Sequence, residues 1–158
     1  MFTTKHLAAA ALAGVLLAPA DGARGQAADT VTAITETLRS YQAALNASDT
    51  DAVMALYAED GVFMPQHFPS AVGFQQVRGA YDAVFAAIKL DVVFEIVEIV
   101  PLTDDWAFAR TNSAGTVTVL ASGGSGPEQN QELFVLQRVN GEWKIARYAF
   151  SNTNPPRS

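Results

Sequence analysis

The chain has 158 residues, a formal net charge of −6, 49% hydrophobic residues and no cysteine, which suits one compact domain and leaves no room for a second. The lack of cysteine excludes thiol catalysis, thiolate metal sites and disulfide stapling. An acidic chain with scattered Lys and Arg is a poor match for a phosphate backbone, so nucleic acid is not expected as a partner.

The first residues, MFTTKHLAAAALAGVLLAPADGARGQAAD, place Lys5 and His6 before an apolar run from Leu7 to Leu17, followed by Ala18-Pro19-Ala20 and Gly25-Gln26-Ala27. A cationic start, a short greasy centre and small residues for the peptidase predict a secretory leader over residues 1–27 and a periplasmic or secreted mature protein. The run falls short of the roughly 20 residues that span a bilayer, so no stable membrane anchor is expected after cleavage. Cleavage would remove two cations, Lys5 and Arg24, and one anion, Asp21, taking the net charge from −6 to −7.

From Thr30, the apolar positions Val31, Ile34, Leu38, Tyr41 and Leu45 advance by three and four, the stripe of an amphipathic helix. Ser48-Asp49-Thr50-Asp51 reads as a cap in which Ser48 accepts from the free donors of the next turn. Val53, Leu56 and Tyr57 then mark one face of a short second helix, closed by Glu59 and Asp60 and broken by Gly61. Val62-Phe63-Met64 is a short strand, and Pro65 and Pro69 make the following stretch a loop. A third helix runs from about Phe74 to Ile88, with Val77, Tyr81 and Val84 at helical spacing.

Beyond it the period changes. Leu90 to Val100, Trp106 to Leu120, Glu128 to Val139 and Trp143 to Asn152 are rich in branched and aromatic residues. Turn sequences separate them, the last being Asn140-Gly141, the dipeptide of tight hairpins. Long strands joined by short turns predict an antiparallel meander with helices on one face, an α+β domain over residues 28–154. Residues 155–158 read as a frayed tail.

The order of elements, together with Tyr41-Gln42-Ala43-Ala44-Leu45-Asn46 followed by Asp49 and Asp51, Leu56-Tyr57-Ala58-Glu59-Asp60-Gly61-Val62-Phe63 and Gly141-Glu142-Trp143-Lys144-Ile145, resembles the nuclear transport factor 2-like superfamily. The likeness is to its SnoaL-like and ketosteroid-isomerase-like branch and runs from about residue 30 to 152. It implies a cone: a curved antiparallel sheet wrapped by three N-terminal helices, the cystatin-like α+β roll. The open end would be a mostly apolar pocket for a small-molecule ligand, and the convex face a homodimer contact. The resemblance leaves the chemistry open, because this fold hosts isomerases, dehydratases, epoxide hydrolases, cyclases and non-catalytic modules.

Matched through the same motifs, the positions of the steroid-isomerase carboxylates hold Pro65 and Val135, neither of which can move a proton. Tyr41 occupies the first-helix position where isomerases keep a phenol that hydrogen-bonds an oxyanion. In the strand Trp106 to Ala114, side chains alternate, so Trp106, Phe108, Arg110 and Asn112 share one face and Ala107, Ala109, Thr111 and Ser113 the other. The resemblance turns the first set inward. The expected pocket is then Tyr41, Tyr57, Phe108, Arg110, Asn112, Gln131, Tyr148 and Asn152, with hydrogen-bond donors and no evident carboxylate base.

A guanidinium and an amide among aromatic rings suit an electron-rich ligand such as a carboxylate or enolate. The alternative for Arg110 is a pair with Glu132 or another acid across the sheet, or a place on the convex face. Tyr57 and Tyr81 equally suit core rings with satisfied hydroxyls. His67, the one histidine after the leader, lacks a carboxylate or serine at triad spacing, and a loop histidine near two prolines also suits a pocket rim. The catalytic candidates are therefore Tyr41, His67 and Arg110. One histidine and scattered carboxylates predict no metal site, and no cofactor is expected. Two readings follow: an exported enzyme acting by proton transfer or water addition, with Tyr41, Arg110 and Asn112 stabilising negative charge, or a non-catalytic ligand-binding or homodimerisation module.

Overall fold

The computed structural model describes residues 20–155. Most of the expected leader, residues 1–19, and the end of the tail, residues 156–158, lie outside the described residues. Helix α1 (Ala20–Ala47) begins ahead of the expected start at Thr30 and buries Ile34, Leu38, Tyr41, Ala44 and Leu45, while Val31 stays exposed. Helix α2 (Thr50–Leu56) is capped by Asp49 rather than Ser48: the Asp49 carboxylate accepts the Ala52 N–H at 2.9 Å. Ser48 instead turns the chain between the helices at φ 54°.

Strand β1 (Tyr57–Met64) follows α2 directly, so Glu59 and Asp60 lie in a strand and do not close a helix. The strand bulges between Tyr57, opposite Ile145, and Val62, opposite Arg147. Gly61 permits this, since a Cβ there would meet Tyr57 Cδ1 at 2.7 Å and the Ala58 carbonyl at 2.8 Å. A two-residue strand β2 (Ala71–Val72), absent from the sequence reading, precedes α3 (Phe74–Ala87), which buries Val77 and Tyr81. Then come β3 (Ile88–Pro101), β4 (Trp106–Val119), β5 (Ser125–Val139) and β6 (Glu142–Asn152). Asn140 and Gly141, at φ 52° and 87°, make the tight β5–β6 turn.

The six strands lie in the order β2-β1-β6-β5-β4-β3. The long strands form the expected antiparallel meander, but β1 runs parallel to β6, so the sheet is mixed and remains unclosed. Val92, Phe94, Ala107, Ala109, Phe134, Leu136, Ile145 and Tyr148 meet Ile34, Leu38, Tyr41, Val53, Val77 and Tyr81 in the core. Ala107 and Ala109 are small, which keeps the sheet close to its helical cover. At Gly115 an added Cβ would stand 2.0 Å from the Asp91 carbonyl, so β3 and β4 approach more closely than any side chain permits.

The outer edge of β3 is covered by α1. Asn46 exchanges two hydrogen bonds with the Val92 backbone, each 2.9 Å, while Gln42 accepts from Phe94 N–H at 2.7 Å and Arg39 donates to the Phe94 carbonyl at 2.7 Å. Polar side chains of the Tyr41-to-Asn46 motif thus substitute for a missing strand and blunt the edge. No helix among the described residues is long and apolar enough to cross a membrane.

Candidate functional site

The sequence-predicted pocket divides between the two faces of the sheet. Tyr41, Tyr57 and Tyr148 are buried in the interior, and Asn152 reaches its rim. Phe108, Arg110, Asn112 and Gln131 lie on the opposite, convex face, contrary to the expectation that they point inward. On β4 the buried positions are Ala107, Ala109, Thr111 and Ser113, and on β5 they are Glu132, Phe134 and Leu136. The alternation into two faces is as expected, but the face that the resemblance turned inward is the outer one. Arg110 pairs with Glu98 across β3 and β4, not with Glu132. With Asn112, Gln131, Leu133, Ala149 and Ser151 it borders an open depression of about 320 Å³ on that face. A second open groove, about 730 Å³, lies where Val72 and Gly73 meet the start of α3.

Inside the cone, a hydrogen-bonded row of phenols runs from α1 through α3 to β1. Tyr41 and Tyr81 hydroxyls stand 2.5 Å apart, and Tyr81 and Tyr57 hydroxyls 2.9 Å. Three hydroxyls sharing two bonds leave one proton to donate elsewhere. Burial raises all three above the ordinary tyrosine value, so they stay protonated donors. Tyr57 and Tyr81 are also core rings with satisfied hydroxyls. Stacked aromatics continue the wall: Tyr148 lies 4.4 Å from Phe134 and 5.5 Å from Phe63, and Phe150 6.0 Å from Tyr148.

At the other end of this wall sits a carboxylate that the sequence reading placed outside the pocket. Glu132, 5% exposed, accepts hydrogen bonds from Thr111 Oγ1 at 2.5 Å and from Ser113 Oγ. Burial raises its carboxyl above the usual range; the two hydroxyls pull it down, and the Glu128 charge adds to the rise. Tyr148 is raised first by its own burial and then by the Glu132 charge, which places the two groups within electrostatic reach. Glu132 was missed because the face assignment of β5 was inverted. The available signal was the pattern Ala107, Ala109, Thr111, Ser113: small residues followed by hydroxyls, as needed under a helical cover with an acid to hold.

His67 is exposed on the loop after β1, at φ 69°, with its Nε2 2.7 Å from Gln66 Nε2. It is brought to neither Arg110 nor the row of phenols by any hydrogen bond. Pro65 is half-buried at the loop's start, and Val135 lies on the convex face opposite Phe108. Among the described residues no three His, Cys, Asp or Glu side chains cluster as metal ligands would.

A mixed sheet rolled around buried phenols, with three helices as its cover, defines an α+β roll of the nuclear transport factor 2-like class. The chain belongs to the SnoaL-like domain family, whose model matches residues 38–148. A ketosteroid isomerase-like protein from Erwinia carotovora atroseptica is 38% identical over 78% of this chain and 96% of its own, with a TM-score of 0.76. A nuclear transport factor 2-like protein with a cystatin-like fold from Novosphingobium aromaticivorans is 20% identical, covering 85% of this chain and 89% of its own, at a TM-score of 0.66. A hexachlorocyclohexane dehydrochlorinase is 8% identical, covering 83% and 90%, at a TM-score of 0.73. The last two likenesses are of fold alone. Comparison with curated proteins gives no significant match.

Proposed function

We propose that the interior of the cone is a small-molecule site in which Glu132 transfers protons, serving an isomerisation or an elimination such as dehydration on a small, partly apolar substrate. The observation that carries this reading is the Glu132 carboxyl itself: inward, oriented by Thr111 and Ser113, and raised by burial above the usual carboxyl range. The phenol row supplies a donor for negative charge developing on the same ligand, and the aromatic wall between them suits an apolar body. Arg110 has no part in this chemistry, because its guanidinium is engaged on the far face. The 38% identity with a ketosteroid isomerase-like protein supports proton-transfer chemistry.

The test is a thermal-shift screen of cyclic ketones, alcohols and alkyl halides, followed by turnover assays of any stabilising compound. Glu132→Gln is expected to lower kcat by about 100-fold or more while the protein stays folded. Turnover at the wild-type rate by Glu132→Gln would remove Glu132 from the mechanism.

A second reading, a homodimerising module, is favoured by the convex face, which exposes Val93 (64%), Leu133 (45%) and Trp106 (37%) around the Arg110–Glu98 pair. The occupant we assign to this face is a second copy of the chain. Sedimentation at micromolar concentration should give a dimer that Leu133→Glu dissociates; a wild-type monomer would end this reading. The order of Lys5, the apolar run Leu7 to Leu17 and the small residues after it supports export, for which the N-terminal residue of protein recovered from a periplasmic fraction is the check.

A further inference from the structure

The loop after β1, residues 65–70, is tied to the sheet by one side chain. Gln66 Oε1 accepts the backbone N–H of Asn152 at the end of β6, and among the described residues this is the hydrogen bond joining loop to sheet. The loop's other bonds are internal: Phe68 N–H to the Pro65 carbonyl at 3.4 Å, and Gln66 Nε2 to His67 Nε2 at 2.7 Å. Since Oε1 accepts from Asn152, Nε2 is the donor and the imidazole Nε2 the acceptor.

The rest of the loop has little to hold it. His67 occupies the left-handed region at φ 69°, a conformation that costs a non-glycine residue about 1 kcal/mol or more. Phe68 is 74% exposed, its ring contributing little burial. A strained residue, an unpacked ring and a single tether describe a segment that opens at low free energy, and Pro65 and Pro69 stiffen both ends so that it moves as a unit.

On the sheet side the tether leads to the carboxylate. Asn152 Nδ2 approaches Asn130 Oδ1 at 3.4 Å, Asn130 Nδ2 approaches Ser113 Oγ at 3.4 Å, and Ser113 donates to Glu132. Asn130 Nδ2 also holds Glu128 at 2.9 Å. The residue that Gln66 grips is therefore part of the polar rim from which Glu132 is held.

We propose that Gln66 is the latch of a lid: releasing its bond to Asn152 frees residues 65–70 and opens the polar end of the interior, so that lid opening and access to Glu132 are one event. This deepens the assignment of Glu132 as the proton-transfer group and rests on it.

The experiment uses the unliganded full chain and Gln66→Ala. A hydrogen bond worth about 1 kcal/mol predicts roughly fivefold faster amide exchange at Asn152 in the variant, with lower backbone NMR order parameters at the His67 and Phe68 amides. The NMR titration of the Glu132 carboxyl should move down toward the ordinary glutamate range, because burial is what raises it. Core amides at Phe134 and Leu136 should keep wild-type exchange rates, which a general loss of stability would not allow. Gln66→Glu, which keeps the acceptor, should restore protection at Asn152. Unchanged exchange at Asn152 and unchanged order parameters at His67 and Phe68 in Gln66→Ala would overturn the latch. A loosened loop with an unmoved Glu132 titration would show that the loop does not cover the carboxylate, and would overturn the lid. None of these readouts requires turnover, so failure of the lid leaves the Glu132 assignment standing, while an active Glu132→Gln enzyme would sink that assignment alone.

Discussion

Tyr81 is the middle member of the buried phenol row, and its hydroxyl is the partner of both Tyr41, at 2.5 Å, and Tyr57, at 2.9 Å. Tyr81→Phe removes one hydroxyl and orphans two, in an interior where Tyr41 and Tyr81 are 1% exposed and Tyr57 4%. Each orphaned hydroxyl costs about 1–3 kcal/mol, so the variant should lose about 2–4 kcal/mol, allowing for partial rearrangement. At roughly 2–4 °C per kcal/mol for a domain of this size, the melting temperature falls by roughly 5–15 °C. Tyr41→Phe leaves Tyr81 bonded to Tyr57 and should cost about 1 kcal/mol. Replacing all three by Phe orphans nothing, so the triple variant should be more stable than Tyr81→Phe alone. Urea unfolding followed by tryptophan fluorescence measures the series. A triple variant weaker than the single one, or a Tyr81→Phe cost no larger than that of Tyr41→Phe, would refute the shared row of hydroxyls.

Glu132 also makes stability depend on pH. Its carboxyl is raised in the folded protein, so the linked stability is fully present below the unfolded value and is lost as pH rises through the raised folded value. Glu132→Gln imitates the protonated form, and its stability relative to wild type should therefore be more favourable at pH 7 than at pH 4; the reverse trend contradicts the burial argument. Arg110→Ala removes an exposed ion pair and should change stability by about 1 kcal/mol or less, with no effect on ligand-induced thermal shifts; a lost shift would return Arg110 to the pocket. Asn46→Ala strips both Val92 backbone groups of their partners, costing about 1–3 kcal/mol and speeding amide exchange at Val92, and protection unchanged there would show the edge is held otherwise.

The architecture was legible because it rests on periodicity. Ile34, Leu38, Tyr41 and Leu45 bury a helical stripe, and Asn140-Gly141 closes a hairpin with positive φ at both residues. The short strand β2 was not legible, since two residues carry no pattern, and neither was the bulge that draws Glu59 and Asp60 into β1. The site failed at one point. On β4 the alternation is plain, but hydrophobic size does not say which face is inward: Trp106 and Phe108 are the larger, yet Ala107 and Ala109 are fully buried. A rolled sheet under close helices needs small residues inside, and the large rings fall to the convex face. That inversion of faces exchanged Glu132 for Gln131 and Thr111 for Arg110 in the expected interior.

The exchange changes the chemistry as well as the membership of the site. With Arg110 and Asn112 inward, the interior would have carried a fixed positive charge suited to holding an anion. With Glu132 inward and the arginine outside, it carries donors that keep their protons and an acid able to give or take one. The same burial acts on both: it raises the phenols further from neutral pH, and moves the carboxyl toward it. Two kinds of group in one desolvated interior are thereby shifted in opposite senses relative to neutral pH, and under the proposed function the phenols would steady charge while Glu132 would move a proton. Tyr148 stands between them, its ring centroid 5.4 Å from that of Tyr41 and its hydroxyl within the field of Glu132.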